Sequence, residues 1–109
     1  MVKATPEVEA HVQVSDCEAR VSGYRMRFLR AGSGPPLVLI HGLMGYSFSW
    51  RFNIPVLARN YTVYAPDLIG AGFSERPAGL DCTLRASAER MLEWLRLTCS
   101  AVTGPEVLH

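Results

Sequence analysis

The sequence predicts an α/β fold in which an N-terminal antiparallel hairpin leads into βαβ units of a parallel sheet. Three observations predict it. Two β-rich runs bracket a Ser22-Gly23 turn, two short apolar runs each precede a loop and a helical stretch, and one long segment repeats apolar residues at helical spacing.

Residues 1–7 are expected to form a loose tail, and 8–109 the N-terminal part of one domain. From Val8 to Val14, Val8, Ala10, Val12 and Val14 fall on one face of a half-buried strand. Glu18 to Val21 and Tyr24 to Arg30 then read as a hairpin, because glycine accepts the positive φ of a tight turn. In the return strand Tyr24, Met26, Phe28 and Arg30 share a face, with Arg25, Arg27 and Leu29 opposite. Ala31 to Pro36 breaks the pattern. Leu37 to Ile40 is apolar throughout, as in a central strand covered on both sides. Ser47 or Ser49 is a candidate cap for a helix running to about Ala58, which Pro55 would kink or shorten. Tyr61 to Ala65 is the next strand, and Pro66 to Leu80 a long loop. The strongest helix follows, with Leu84, Ala88, Met91, Leu92, Leu95, Cys99 and Val102 in one stripe. Asp81 or Thr83 is its candidate cap, Gly104-Pro105 its stop, and Glu106 to His109 the opening of a further strand.

Composition excludes several classes of function. The chain has 109 residues, 49% hydrophobic, which suits one small globular domain with a modest core. Net charge is +1 with no basic run, so neither nucleic acid nor a membrane is the expected partner. The start lacks a secretory signal pattern, and no apolar run approaches the ~20 residues that cross a bilayer. Cys17, Cys82 and Cys99 are odd in number and widely spaced, which argues against a disulfide framework or a metal site. A cytoplasmic protein with free thiols and no cofactor is expected.

Two motifs carry chemistry, and both lie where a parallel strand gives way to a loop, the place where open α/β sheets bind ligands. The first is L-V-L-I-H-G-L-M-G, residues 37–45. By itself, His-Gly also suits the plain end of a buried strand. The second is Y-T-V-Y-A-P-D-L-I-G-A-G-F-S-E-R-P, residues 61–77. Its Gly70-x-Gly72 pair is a poor dinucleotide fingerprint, because Pro66 and Asp67 separate it from the strand and Arg76-Pro77 follows.

Together these motifs, their order and the preceding hairpin resemble the N-terminal portion of the α/β-hydrolase superfamily. The group in question contains esterases, epoxide hydrolases and haloalkane dehalogenases, and the resemblance runs from about residue 18 onward. It implies that the N–H of Leu43 is one oxyanion-hole donor, a type of group that stabilises the developing oxyanion by a few kcal/mol. Gly42 would then allow a close backbone turn, and His41 would orient the loop rather than act as a base. Asp67, Gly70, Gly72 and Ser74 match the family's D-x-x-G-x-G-x-S block, a mainly structural loop at the active-site end. Asp67 as a catalytic carboxylate is the lesser alternative, because the family's acid lies further along the chain.

The family's nucleophile lies in G-x-S-x-G or a close variant. None of the serines, Ser15, Ser22, Ser33, Ser47, Ser49, Ser74, Ser87 and Ser100, has that setting. The histidines are His11, His41 and His109, on three separate elements. No catalytic triad is therefore expected, and the leading expectation is a truncated hydrolase, inactive alone. The family as a whole acts on small-molecule substrates. A half-domain that pairs through its open sheet edge, with a complementary C-terminal portion or with itself, is the second. A complete small enzyme with an unrecognised site is the third.

Overall fold

The computed structural model describes residues 12–42 and 45–99. Among these residues four strands form one mixed sheet: β1 (Val14–Val21), β2 (Tyr24–Ala31), β3 (Pro36–Val38) and β4 (Thr62–Pro66), in spatial order β1-β2-β4-β3. A 3-10 turn, η1 (Ser47–Trp50), and a short helix, α1 (Ile54–Leu57), lie between β3 and β4. A long helix, α2 (Leu84–Cys99), follows the loop after β4.

The hairpin forms as the Ser-Gly signal predicts, with Val21 opposite Tyr24 and Val14 opposite Ala31. Its first strand starts earlier than expected. It takes Val14 to Cys17 into one eight-residue ladder, because β2 is long enough to offer each of them a partner. The tail 1–7 and the start of the predicted strand, residues 8–11, lie outside the described residues, as does 106–109. Ser22 sits at φ 52, a costly conformation for a residue with a Cβ. Its amide and hydroxyl both bond the Glu93 carboxylate, at 2.9 and 2.7 Å, so helix α2 holds the turn in place.

Two apolar layers sandwich the sheet. On one face Val21, Met26, Phe28, Val38 and Tyr64 meet Met91 and Trp94 of α2. On the other, Ala31, Val63 and Ala65 meet Ile54 and Ala58 of the shorter helical segment. β4 is buried along its whole length, as expected of an inner strand apolar on both faces. β3 runs parallel to β4 and adds a bond from the Leu39 amide to the Tyr64 carbonyl at 2.8 Å.

Two helix expectations need correction. The segment 47–58 is not one helix, and neither serine caps it by side chain. Tyr46 precedes η1 without a capping bond, and Pro55 lies in the first turn of a separate helix. The missing N–H of proline is harmless in a first turn and disruptive further in, so Pro55 divides the segment.

The apolar stripe on α2 is also rotated from the predicted one. Met91 and Trp94 are buried and Leu95 is partly so, whereas Leu84, Ala88 and Leu92 are exposed. Helical spacing admits several overlapping stripes, and the sheet's aromatic residues select the one containing Trp94. The side chain of Cys99 and residue Val102 lie outside the described residues. The predicted start holds: Thr83 Oγ1 accepts the Ala86 amide at 3.2 Å, and Asp81 in turn accepts the Thr83 amide.

The Ala31-to-Pro36 break has a steric basis. A Cβ at Gly32 (φ +85) would run into the carbonyl oxygen of Tyr61 and come within 2.5 Å of that of Ala58. Both obstacles are backbone and cannot swing aside. Gly32→Ala is therefore expected to cost about 1–3 kcal/mol through forced displacement alone. Gly23→Ala, at φ +84 but in open space, should cost only the conformational strain. Urea denaturation of the two variants checks the difference.

Candidate functional site

The site lies at the carboxyl ends of the parallel pair β3 and β4, where the chain leaves the sheet twice. After β3 it passes through His41 and Gly42 to η1. After β4 it enters the loop Asp67 to Glu75. These two exits are bound to each other at two points.

His41 makes the first connection. Its side chain is 7% exposed. Nε2 faces the Leu68 amide at 3.1 Å and Nδ1 faces the Gly42 carbonyl at 2.8 Å. An amide can only donate, so Nε2 accepts, and the neutral ring carries its proton on Nδ1 and donates it to Gly42. Both ring nitrogens are thus occupied: Nε2 holds one loop to the other, and Nδ1 fixes the ring within its own loop.

Asp67 makes the second connection, and it is fully buried. Its Oδ1 accepts the Ser47 amide at 2.6 Å, occupying the place that a capping side chain would take at the start of η1. Its Oδ2 accepts the Phe73 amide at 2.9 Å and Nη1 of Arg27 at 3.1 Å. Burial is the largest influence on the carboxyl and opposes its charge. The amides of Phe73 and Ser47, the Ser47 hydroxyl and the Arg27 guanidinium outweigh it together and hold Asp67 below the usual carboxylate range.

The glycines and serine of the second motif shape this loop around the carboxylate. At Gly72 (φ +54) a Cβ would lie 2.5 Å from Oδ2 of Asp67 and 2.7 Å from Cβ of Tyr46, so only glycine fits. Gly70 takes φ +93 and donates its amide to the Glu75 carbonyl. Ser74, 4% exposed, donates its hydroxyl to the Asp67 carbonyl and accepts the Arg27 amide at 2.8 Å. The Glu75 amide and carboxylate complete the pairing of Arg25 on β2. The loop therefore continues the work of β4 along the hairpin.

All four residues named from the second motif converge here, and so does His41. Leu43 lies outside the described residues. Gly42 is exposed, has no left-handed φ, and a Cβ there would meet no described atom within 4 Å. The close turn expected at this position is not what the described neighbours impose. Gly42→Ala should shift stability by no more than about 0.5 kcal/mol in denaturant titration.

Sequence reasoning missed Arg27, and it took Ser47 for a cap. Arg27 reaches four partners from the middle of β2. The available signal was an arginine on the strand face that a second layer must cover. Tyr46, Phe48 and Phe73 form an aromatic group over the same loops, with centroids of neighbouring rings 5.8 and 5.9 Å apart.

Among the described residues no group of three or more His, Cys, Asp or Glu is placed to hold a metal ion, and no helix is long and apolar enough to cross a membrane.

Comparison with known proteins identifies the fold on which these loops are carried. Residues 35–101 match the family model described as the alpha/beta hydrolase fold. The soluble epoxide hydrolase of Corynebacterium sp. is 46% identical over 81 residues, covering 73% of this chain and 28% of that protein. A haloalkane dehalogenase of Mycobacterium marinum is 42% identical over 74 residues, covering 64% of this chain and 25% of that one. Among solved structures, the epoxide hydrolase CorEH superposes with a TM-score of 0.71 at 43% identity, over 78% of this chain and 30% of that one. The matched part of the chain thus spans less than a third of the length of each of these relatives.

Proposed function

The chain belongs to the α/β-hydrolase fold family, and from that premise we propose that it supplies the oxyanion-hole side of a small-molecule hydrolase. The reaction class is cleavage of an ester or a related bond, epoxides and carbon–halogen bonds included, by nucleophile–His–acid catalysis. The observation that carries this reading is the double attachment of the loop after β3, at His41 to Leu68 and at Ser47 to Asp67. Oxyanion stabilisation needs donors fixed before the charge appears, and a loop held at both ends meets that need. In this reading the Leu43 amide is the donor, Gly42 leaves it room for an approaching substrate, and His41 organises the loop.

The 109 residues contain no G-x-S-x-G elbow, and His11, His41 and His109 are widely separated in sequence. The chain alone is therefore proposed to be inactive. The purified chain should hydrolyse neither aryl esters nor epoxides above the buffer rate. Turnover should appear when a polypeptide comprising the rest of the Corynebacterium enzyme, beyond the region that matches this chain, is added. Turnover by the chain alone that disappears in His41→Ala would overturn this reading and favour a complete small enzyme. Translating the DNA beyond the His109 codon in all three frames, in search of an elbow, is an independent check.

A second reading is a non-enzymatic half-domain that binds a complementary chain through its sheet edge. The outer edge of β3 has no strand partner among the described residues, and beside it Ile40 is 48% exposed. Unpaired edges of this kind recruit other strands. Binding of the added polypeptide without turnover would favour this reading over the first. We propose a cytoplasmic location in either case.

A further inference from the structure

We infer that Arg27, a hairpin residue outside both sequence motifs, is a positioning residue for Ser47, where the loop after β3 enters η1, acting through Asp67. This rests on residues 41–47 being the oxyanion loop.

Arg27 uses its guanidinium as a fork between two carboxylates. Nε and Nη2 bond Asp16 on β1 at 2.9 and 3.3 Å. Nη1 bonds Oδ2 of Asp67 at 3.1 Å and the Ser47 hydroxyl at 3.0 Å. The Phe73 ring covers the guanidinium carbon at 4.8 Å, and the Arg27 side chain is only 16% exposed. The backbone is fixed as well, by the Ser74 hydroxyl on its amide and the Asp67 amide on its carbonyl. A residue held at both backbone and side chain has little freedom to follow its partners. Its partners follow it.

The consequence falls on Asp67. With Oδ2 engaged by the cation and by Phe73, the carboxylate plane is set and Oδ1 faces the Ser47 amide. That bond fixes the point where the loop enters η1. Without the cation, a fully buried carboxylate keeps only neutral donors, and the protonated form, a poorer acceptor, gains ground. Lysine would restore charge but not the fork, because an ammonium is a point donor. Asp16 plays a different part. Its side chain is 65% exposed and it touches only the outer half of the guanidinium, so it neutralises Arg27 without setting Asp67.

Amide hydrogen exchange, followed by NMR on the 109-residue chain, tests this residue by residue. Arg27→Lys should speed exchange at Ser47 and Phe73 by on the order of tenfold while the Val63 and Trp94 amides keep their protection. Arg27→Ala should go further at the same two positions, and Asp16→Asn should leave them within about twofold. If Arg27→Ala does not fold, the lysine variant decides. Unchanged Ser47 exchange in Arg27→Lys would overturn the inference. A rise at Ser47 equal to that at Val63 would also overturn it, since it would make Arg27 merely structural. Equal loosening by Asp16→Asn would do the same. None of these outcomes touches the oxyanion reading, which stands or falls on turnover in the reconstituted protein.

Discussion

Asp67→Ala is expected to lower the free energy of unfolding by about 3–5 kcal/mol, the range found when one partner of a buried ion pair is removed. The side chain is wholly buried, and its loss leaves the Arg27 guanidinium without its inner partner and the Ser47 and Phe73 amides without acceptors. Asparagine should rescue little. Both carboxylate oxygens accept from N–H donors here, so whichever way the amide is turned, its NH2 group meets a donor. Urea titration of the wild type, Asp67→Ala and Asp67→Asn at neutral pH measures both effects. A loss below ~1 kcal/mol in Asp67→Ala would remove the carboxylate from the centre of this network.

The same residue gives the chain a signature in acid. The folded-state pKa of Asp67 lies below its unfolded value of about 3.9, so the unfolded chain binds the proton more readily. Its contribution is fully present above that value and is lost as pH falls toward the lower folded one. Stability should therefore decline below about pH 4 in the wild type, and less steeply in Asp67→Asn. Arg27 works from the other side. Burial opposes its charge, yet the hydrogen bonds to Asp16 and Asp67 raise its pKa, so the cation persists throughout this window.

Trp94→Ala should cost a comparable amount, about 3–5 kcal/mol. Trp94 is 0% exposed and is among the largest fully buried side chains. It meets Phe28 edge-on at 5.4 Å and Tyr64 at 6.0 Å, which joins α2 to β2 and β4 at once. Among the described residues its indole N–H has no hydrogen-bond partner, and the contacts seen are those of packing. Trp94→Phe should accordingly recover most of the loss, with a residual cavity cost, whereas Leu84→Ala, at a position 88% exposed, should be nearly silent. Thermal unfolding monitored by circular dichroism ranks the three variants. A loss from Leu84→Ala matching that from Trp94→Ala would restore the stripe expected from spacing alone.

Much of this protein was legible in its residues taken a few at a time. The Ser22-Gly23 turn sets the hairpin register, because a tight turn admits few loop lengths and conformations. Apolar continuity in Tyr61 to Ala65 marks the inner strand β4, buried from Thr62 to Pro66. The run Leu37 to Ile40, expected as a central strand, instead forms only the short β3 (Pro36–Val38) at the edge of the described sheet, with Ile40 exposed. Glycine at 32, 70 and 72 announces backbone that a side chain would obstruct, and Asp67 with Ser74 announces a loop that bonds itself. These features act within one turn or one strand, so a short stretch of sequence contains their cause.

What only the tertiary structure decided is which of several locally equivalent choices is taken. Helix α2 had more than one apolar stripe available, and the aromatic surface of the sheet selected the one through Trp94. Arg27 was only one member of the strand face shared with Arg25 and Leu29 until the packing of three separate segments placed Asp16, Ser47 and Asp67 around it. Hydrogen-bond partners far apart in the chain are matched by the folded arrangement of whole elements, and no local periodicity encodes that distance. The sequence therefore specified the pieces of the candidate site, while the long-range packing of hairpin against loops determined how tightly they are held.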